Sequence, residues 1–424
     1  MRPLIIAVLH LIARRVVAKY HPLVIGVTGS YGKTSAKEAI AAALSSHYVV
    51  RKSPRSYNNE FGVPYTILGI VPGRNAGRTW WRAIRYGLRL LLTRQPYPTV
   101  LVLEIGDDRP GDVGRLLKIA KLDVGVLTGI GPTHLAHYRT VDNVFEEESK
   151  LITTLGPHAW AVLNGDDSRV RGLAELAMCR IVSYGHSEFV AVRGVDSAPA
   201  KNEHGEWGMV MKLQLQSQVI PLFIPGVIGR QAASAALAGA AVATAMKLDL
   251  LEVADGLRSY DPPPGRMRLL PGQRGSMLID DTYNSSPDAC VAAIESLRLF
   301  PAAGKRYAVL GEMAELGTTS ESAHRGLAQT LIDNQVDVFV AVGKSMHLTA
   351  DEVRKLGRPT DAIHEFRDPR SAAEWLLTQL QPGDTVLVKG SQVSRMEKAV
   401  KILMREPQQA ASRLVRQDRK WLAT

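Results

Sequence analysis

Cysteine is nearly missing from this 424-residue chain: there are two, Cys179 and Cys290, far apart. That excludes a disulfide framework and a structural zinc site, and makes a reducing compartment the default. Membrane-length hydrophobic runs are also missing. Leu4–Ala13 (LIIAVLHLIA) is about half as long as a spanning helix. Its size suits a signal-peptide core, but Arg14 and Arg15 follow it and no small-residue cleavage site does. It reads as an amphipathic helix that packs on a domain or touches a membrane. Acid is scarce in the first quarter. Residues 1–94 hold 15 Lys and Arg but only two acids, Glu38 and Glu60, a local net of +13. The whole chain is +11, so the remainder is −2. Such self-repulsion persists where something anionic is near: phosphate, nucleic acid or a membrane surface.

What is present is ordinary for a globular protein. An apolar fraction of 46% and a charged fraction of 22% exclude a disordered or fibrous chain. The length favours two or three domains. Leu23–Thr28 (LVIGVT), Thr99–Glu104, Val124–Thr128 and Ala159–Leu163 read as buried parallel strands with helical stretches between them. Ile181–Pro225 alternates, is punctuated by glycine and reads as a small antiparallel annex. After the helix Gln231–Met246 and the rigid turn Pro262–Gly265, strands recur at Met277–Asp280, Arg306–Leu310, Val336–Val342 and Asp384–Val388. The predicted fold is α/β: a P-loop, doubly wound central ATPase domain with an antiparallel annex, then a Rossmann-like C-terminal domain. The expected boundaries are an apolar helix at 1–22, the central domain at 23–225, the C-terminal domain at 226–404 and a basic, mobile tail at 405–424.

Within the central domain, 72–98 is a basic insertion carrying Arg74, Arg78, Arg82, Arg85, Arg89, Arg94, Trp80 and Trp81, and no acid. Arg78, Arg82, Arg85 and Arg89 share one helix face. Tryptophan beside arginine suits a lipid headgroup interface, and a solvated helix hairpin is the bland alternative. Residues 1–20 and 74–94 are therefore the candidate membrane contacts. No nucleic-acid module is recognisable, so no nucleic-acid partner is expected.

Thr28–Ser35 (TGSYGKTS) lies between a strand and a helix. Gly29 and Gly32 let the backbone turn so that the N–H groups of Ser30 to Ser35 face a phosphate. Lys33 would neutralise the β- and γ-phosphates, with Lys37 beside it, and Thr34 would offer a hydroxyl to Mg²⁺. The strict motif has glycine where Val27 stands. Glu104 ends a buried strand beside this loop, where a carboxylate can meet Mg²⁺. His134 follows the next strand, and a lone histidine there is ordinarily a packing residue.

These motifs occur in order with YNNEFGVP (Tyr57–Pro64), RPGD (Arg109–Asp112), LTGIGPTHL (Leu127–Leu135), PPGRM (Pro263–Met267), IDDTYNSSPDA (Ile279–Ala289), LGEMAELG (Leu310–Gly317) and VLVKGS (Val386–Ser391). Together they span nearly the whole chain and resemble the Mur ligase family. The resemblance implies ATP- and Mg²⁺-dependent joining of a carboxylate acceptor to an amino-acid or peptide amine, such as D-Ala-D-Ala, through an acyl phosphate, in peptidoglycan precursor synthesis. It implies phosphate binding by Lys33, one Mg²⁺ on Thr34 and Glu104, and His134 at a second. Arg266, Asp281, Tyr283 and Asn284 would meet the nucleotide. Asn58 and Asn59 would face the acceptor, along with the neighbouring Arg51, Lys52 and Arg55. Glu312, Glu315, His324, Lys389 and Ser391 would face the amine.

Three departures qualify it. About 22 residues precede the first strand, too few for the family's UDP-gripping domain, so a non-UDP acceptor, an acceptor bound by another chain and a lipid-linked sugar are open alternatives. The family's carbamylated, metal-binding lysine falls on Glu148, which would supply the carboxylate directly; Lys150 is the competing candidate, and a solvated acidic helix face the bland one. The helix after Pro225-Gly226 carries Arg230, Gln231 and Ser234 where the family has a His-Asn pair and a further Asn, which leaves the choice of triphosphate open. A nucleotide-dependent binding protein without catalysis is the alternative of a different class.

Overall fold

The computed structural model describes residues 2–54, 56–73, 76–106, 109–132 and 135–422. The chain forms two compact units: residues 1–195, 211–222 and 234–261, and residues 196–210, 223–233 and 262–424. By this division residues 234–261, with most of the Ala-rich helix, lie in the first unit. The reason is packing. That helix is so rich in small side chains that Gly239 lies against the backbone of Ala39, where an added Cβ would come within 2.9 Å of the Ala39 carbonyl oxygen.

In the first unit the chain runs α1 (Arg2–Tyr20), β1 (Leu23–Thr28), α2 (Lys33–Leu44), β2 (Val50–Lys52), α3 (Gly62–Leu68), α4 (Ala76–Leu92), β3 (Val100–Glu104), α5 (Asp112–Leu117), β4 (Val124–Leu127), α6 (Leu135–Tyr138), α7 (Val141–Thr153), β5 (Trp160–Asn164), α8 (Ser168–Gly172) and β6 (Arg180–Gly185). After β7 (Val192–Lys201), β8 (Trp207–Leu215) and β9 (Gln218–Pro225) come α9 (Arg230–Ala245) and α10 (Leu250–Arg258). The sheet order is β2-β3-β1-β4-β5-β6-β7-β8-β9. The strands β1 to β6 are parallel, which requires helical crossovers and buries both faces. Because β6 pairs parallel with β5, it belongs to the main sheet and not to an annex. Its Tyr184 also pairs parallel with Val192 of β7.

β1 is central. Its register sets Val27 beside Glu104 of β3 and Thr28 beside Leu127 of β4. The carboxyl ends of three strands thus meet at one edge, where ligands bind in open α/β sheets.

The second unit holds β10 (Arg268–Pro271), β11 (Met277–Asp281), β12 (Arg306–Gly311), β13 (Val338–Val342), β14 (Ile363–Phe366) and β15 (Thr385–Lys389), in the order β10-β11-β15-β12-β13-β14. Only the β10–β11 pair is antiparallel. Alternation along the strands splits the core in two. Ile279, Ala308, Leu310 and Leu387 enter one cluster; Leu278, Val309, Val386 and Val388 enter the other.

The tail is anchored, not mobile. Ala410 and Leu414 are buried, and Arg416 donates to the Thr282 carbonyl at 3.0 Å, donates to the Tyr283 carbonyl and pairs with Glu397 at 3.0 Å.

Candidate functional site

The loop between β1 and α2 is shaped by its glycines. Gly29 sits at φ 135°, and a Cβ there would lie 2.2 Å from the Thr128 hydroxyl. Gly32, at φ 80°, precedes α2, and no side chain caps the helix's first turn. Those N–H groups and the helix dipole favour an anion. The loop after β4 braces this turn. Ser30 N donates to the Gly129 carbonyl at 2.7 Å, and Thr128 Oγ1 donates to the Thr28 and Tyr31 carbonyls. Tyr31 OH donates to Asp167 at 2.9 Å, an oxygen that also accepts from Ile130 N. Lys33 donates to the Gly29 carbonyl, and Ser35 is half-buried in the first turn of α2.

Glu104 is buried below the loop. Its Oε1 accepts from Thr34 Oγ1 at 3.2 Å and from Asn58 Nδ2 at 3.4 Å. Its Oε2 makes no hydrogen bond but lies 3.4 Å from Lys37 Nζ. Lys37 is no phosphate partner in this geometry. It is fully buried, donates to the Ser53 carbonyl at 2.7 Å and lies 3.2 Å from Glu38. A buried ammonium has to be paired in this way, and here its partner is the carboxylate of the site.

Glu148 is fully buried on α7 and accepts from Ser30 Oγ at 3.1 Å, so it faces the loop. Lys150 faces elsewhere: its Nζ meets Glu147 at 2.7 Å. Glu147 also accepts from the N–H groups of Gly111 and Val113, tying the start of α5 to α7. Burial pushes its carboxyl up, but Lys150 and the two N–H groups outweigh that and hold it below the usual range. Glu147 carried no recognisable signal in the sequence, because the two N–H groups that it holds lie more than thirty residues away. Among the described residues no three His, Cys, Asp or Glu cluster as a metal site. His134 lies outside the described residues, as does Arg55.

The two asparagines separate. Asn58 reaches Glu104, whereas Asn59 Oδ1 accepts from the N–H groups of Phe61 and Gly62 in the turn that leads into α3. Arg51 and Lys52 are likewise held locally: Arg51 donates to the Ile67 carbonyl at 2.8 Å and Lys52 pairs with Glu38.

In the second unit, Asp281 and Lys389 are register partners on β11 and β15, and their side chains meet at 2.6 Å. Lys389 also donates to the Asn284 carbonyl at 2.9 Å, and Asp281 accepts from Met267 N at 3.2 Å. Beside it Asp280 accepts from Gly265 N, Thr282 N and Thr282 Oγ1. Burial pushes the Asp280 carboxyl up to about 6. The two carboxylates pin residues 265–267, and the Arg266 guanidinium lies 3.8 Å over the Tyr283 ring with its Nε buried and without a hydrogen bond.

His324 is fully buried. Its Nδ1 meets the Ser320 carbonyl at 2.7 Å, and its Nε2 accepts from Met313 N at 3.1 Å. It supports the loop from beneath and offers no surface to a substrate. Ser391 and Lys389 are buried too. Glu315 is exposed, at a left-handed φ of 63°. Glu312 accepts from Ser345 N at 2.7 Å and lines a cleft of about 580 Å³ with Gly343, Arg367, Arg370, Arg395 and Lys398.

Family models match most of the chain: the Mur ligase middle domain over residues 27–243, and the Mur ligase glutamate ligase domain over 265–392. A UDP-N-acetylmuramoyl-tripeptide–D-alanyl-D-alanine ligase of Mycobacterium tuberculosis (strain CDC 1551 / Oshkosh) is 31% identical over 390 residues, covering 87% of this chain and 70% of the relative. The Bacillus subtilis (strain 168) enzyme of the same name is 25% identical over 396 residues, covering 91% and 76%. The crystal structure of the MurF ligase from Thermotoga maritima in complex with ADP superposes with a TM-score of 0.76 at 27% identity, covering 96% of this chain and 85% of that one.

Proposed function

The chain belongs to the Mur ligase family, and from that premise we propose an ATP-dependent ligase of peptidoglycan precursor synthesis that joins D-alanyl-D-alanine to a muramoyl-peptide carboxyl group. The observation that carries the site is the P-loop backed by two buried carboxylates, Glu104 at Thr34 and Glu148 at Ser30.

An acceptor carboxylate oxygen attacks the γ-phosphorus and ADP leaves. The amine nitrogen of the dipeptide then attacks the acyl carbon, inorganic phosphate leaves and the nitrogen loses its proton. The uncapped first turn of α2 and Lys33 hold the phosphates. Mg²⁺ fits here, because Glu104 Oε2 is buried without a hydrogen bond and lies on the same carboxylate as the Thr34 contact. When bound it would neutralise charge on the transferring phosphoryl group. His134 belongs to this reading as a further metal ligand. Glu148, rather than a carbamylated Lys150, is the second carboxylate, since Lys150 is engaged by Glu147. Arg266 and Tyr283 are proposed nucleotide contacts, with Asp281 holding the backbone between them.

The dipeptide amine is assigned to the cleft at Glu312, with its terminal carboxylate toward Arg367. ATP supply places the reaction in the cytoplasm, and contact with the inner face of the membrane through 1–20 and 74–94 is part of this reading. The test is ADP release with UDP-muramoyl tripeptide and D-Ala-D-Ala, with and without bicarbonate. Sustained release over many turnovers should need both substrates and ignore bicarbonate, and Arg367→Ala should raise KM for the dipeptide about tenfold or more. ADP release that needs no acceptor would defeat the ligase reading. Bicarbonate stimulation lost in Lys150→Ala would move the metal carboxylate to Lys150.

A further inference from the structure

The pair formed by α1 and α4 has an inner and an outer face of opposite character. Inward, Leu9, Ile12, Ala13 and Val16 of α1 and Ala83 and Leu90 of α4 join one buried cluster. Gly87 permits the contact, since a Cβ there would lie 2.4 Å from Ile12 Cγ2. Lys19 Nζ donates to the carbonyls of Leu90, Leu91 and Thr93 at 2.8–2.9 Å, so the end of α1 caps the end of α4. The two helices therefore run parallel and in fixed register.

Outward, α1 presents Leu4, Ala7, Leu11, Arg14, Arg15 and Ala18. α4 presents Arg78, Trp81, Arg82, Arg85, Leu88, Arg89 and Leu92. Leu4 is 69% exposed, Trp81 74% and Leu92 83%. Neither helix contains an acidic residue. A face that served only solubility would mix both charge signs and carry no exposed tryptophan and leucine at helical spacing. No described helix is long and apolar enough to cross a membrane, so the face lies along a surface rather than through it.

We infer that the outer face of α1 and α4 docks on an anionic phospholipid bilayer, its arginines on the headgroups and Trp81, Leu88, Leu92, Leu4 and Leu11 at the acyl boundary. This deepens the membrane part of the reading above, and its chemistry is independent of ligation. The partner follows from charge complementarity: six arginines without an acid among them call for a surface of negative charge, and the exposed apolar residues call for one with an apolar interior. The same pair holds a loop of the active site. Arg2 pairs with Glu60 at 2.9 Å, His10 Nε2 lies 2.9 Å from the Glu60 carbonyl, and Trp80 stacks on Phe61 at 6.1 Å. Two residues before Glu60, Asn58 reaches Glu104. Docking would therefore bring the Asn58 side of the site to the membrane and suit an acceptor carried on a lipid.

The test is co-sedimentation of the full chain with vesicles of phosphatidylcholine alone, and of phosphatidylcholine with phosphatidylglycerol. Binding should require phosphatidylglycerol and weaken with salt. Arg85→Glu with Arg89→Glu should reduce partitioning about tenfold or more, and Trp81→Ser with Leu92→Ser should reduce it as well. All four positions are exposed, so melting temperature should be unchanged, and this checks that the variants fold. Absence of binding to the anionic vesicles, equal binding to both kinds, or binding unchanged in both double variants would overturn the inference. Binding to heparin but to neither vesicle would overturn it in favour of a soluble polyanion. ADP release in the same samples is a separate readout: vesicle binding without it would fault the ligase assignment and leave the docking surface standing.

Discussion

Two buried groups of charged residues, one in each unit, are arranged differently. At the first unit's strand edge, Glu104 is buried with one oxygen that makes no hydrogen bond and has the Lys37 ammonium 3.4 Å away, and among the described residues no side chain caps the first turn of α2. In the second unit, Asp281, Lys389 and His324 are buried with their polar atoms engaged by named partners. Bonding capacity held in reserve costs stability and is kept where a ligand will use it; satisfied pairs fix backbone. The first arrangement is thus suited to binding and the second to shaping residues 265–267 and 311–317.

Three substitutions would sharpen or break that contrast. The largest effect belongs to Glu104→Gln, which keeps the contacts to Thr34 and Asn58 but removes the charge. Ligation should fall about 10²–10³-fold or more, while stability should fall less than in Lys389→Met below, because Lys37 loses the Glu104 charge but keeps Glu38 and the Ser53 carbonyl. A large loss of stability with activity retained would assign Glu104 to scaffolding. Lys389→Met should do the reverse. It strands the buried Asp281 carboxylate, at a cost of about 3–5 kcal/mol in urea unfolding. A stable but inactive Lys389→Met would mean that the lysine serves chemistry.

The smallest effect concerns pH. Asp280 is raised to about 6 from 3.8 by burial, so the folded chain binds its proton more tightly than the unfolded chain. Its contribution to stability is full below the unfolded value and is lost as pH rises through about 6. Asp280→Asn should remove that slope, on the order of 2–3 kcal/mol, from the difference curve between pH 4 and 7. An unchanged slope would mean that the carboxyl is not perturbed by its burial.

Local signals were legible in the sequence and distant ones were not. The buried strands β1, β3, β4, β5, β11, β12, β13 and β15 announce themselves as apolar, β-branched runs. β2 has three residues, two of them charged, and β14 (IHEF) is a half-exposed edge; neither carries enough pattern to be read. The P-loop could be read because its geometry is written in adjacent residues. The partnership of Lys37 with Glu104, and that of Ser30 with Glu148, join residues distant in the chain and follow only from the fold. The tail read as mobile because it is polar. Its anchors are the buried Ala410 and Leu414 and one arginine that reaches two carbonyls more than 130 residues earlier.

The Lys19 cap on α4 has a practical side for anyone handling the protein. Because residues 4–13 look like a leader, a preparer might trim the first twenty residues. That would uncap the last carbonyls of α4 and lay bare the buried side of α3 and α4, including Leu68 and Leu90, against which α1 packs. The trimmed chain should collect in inclusion bodies, and a purification tag belongs at the other terminus.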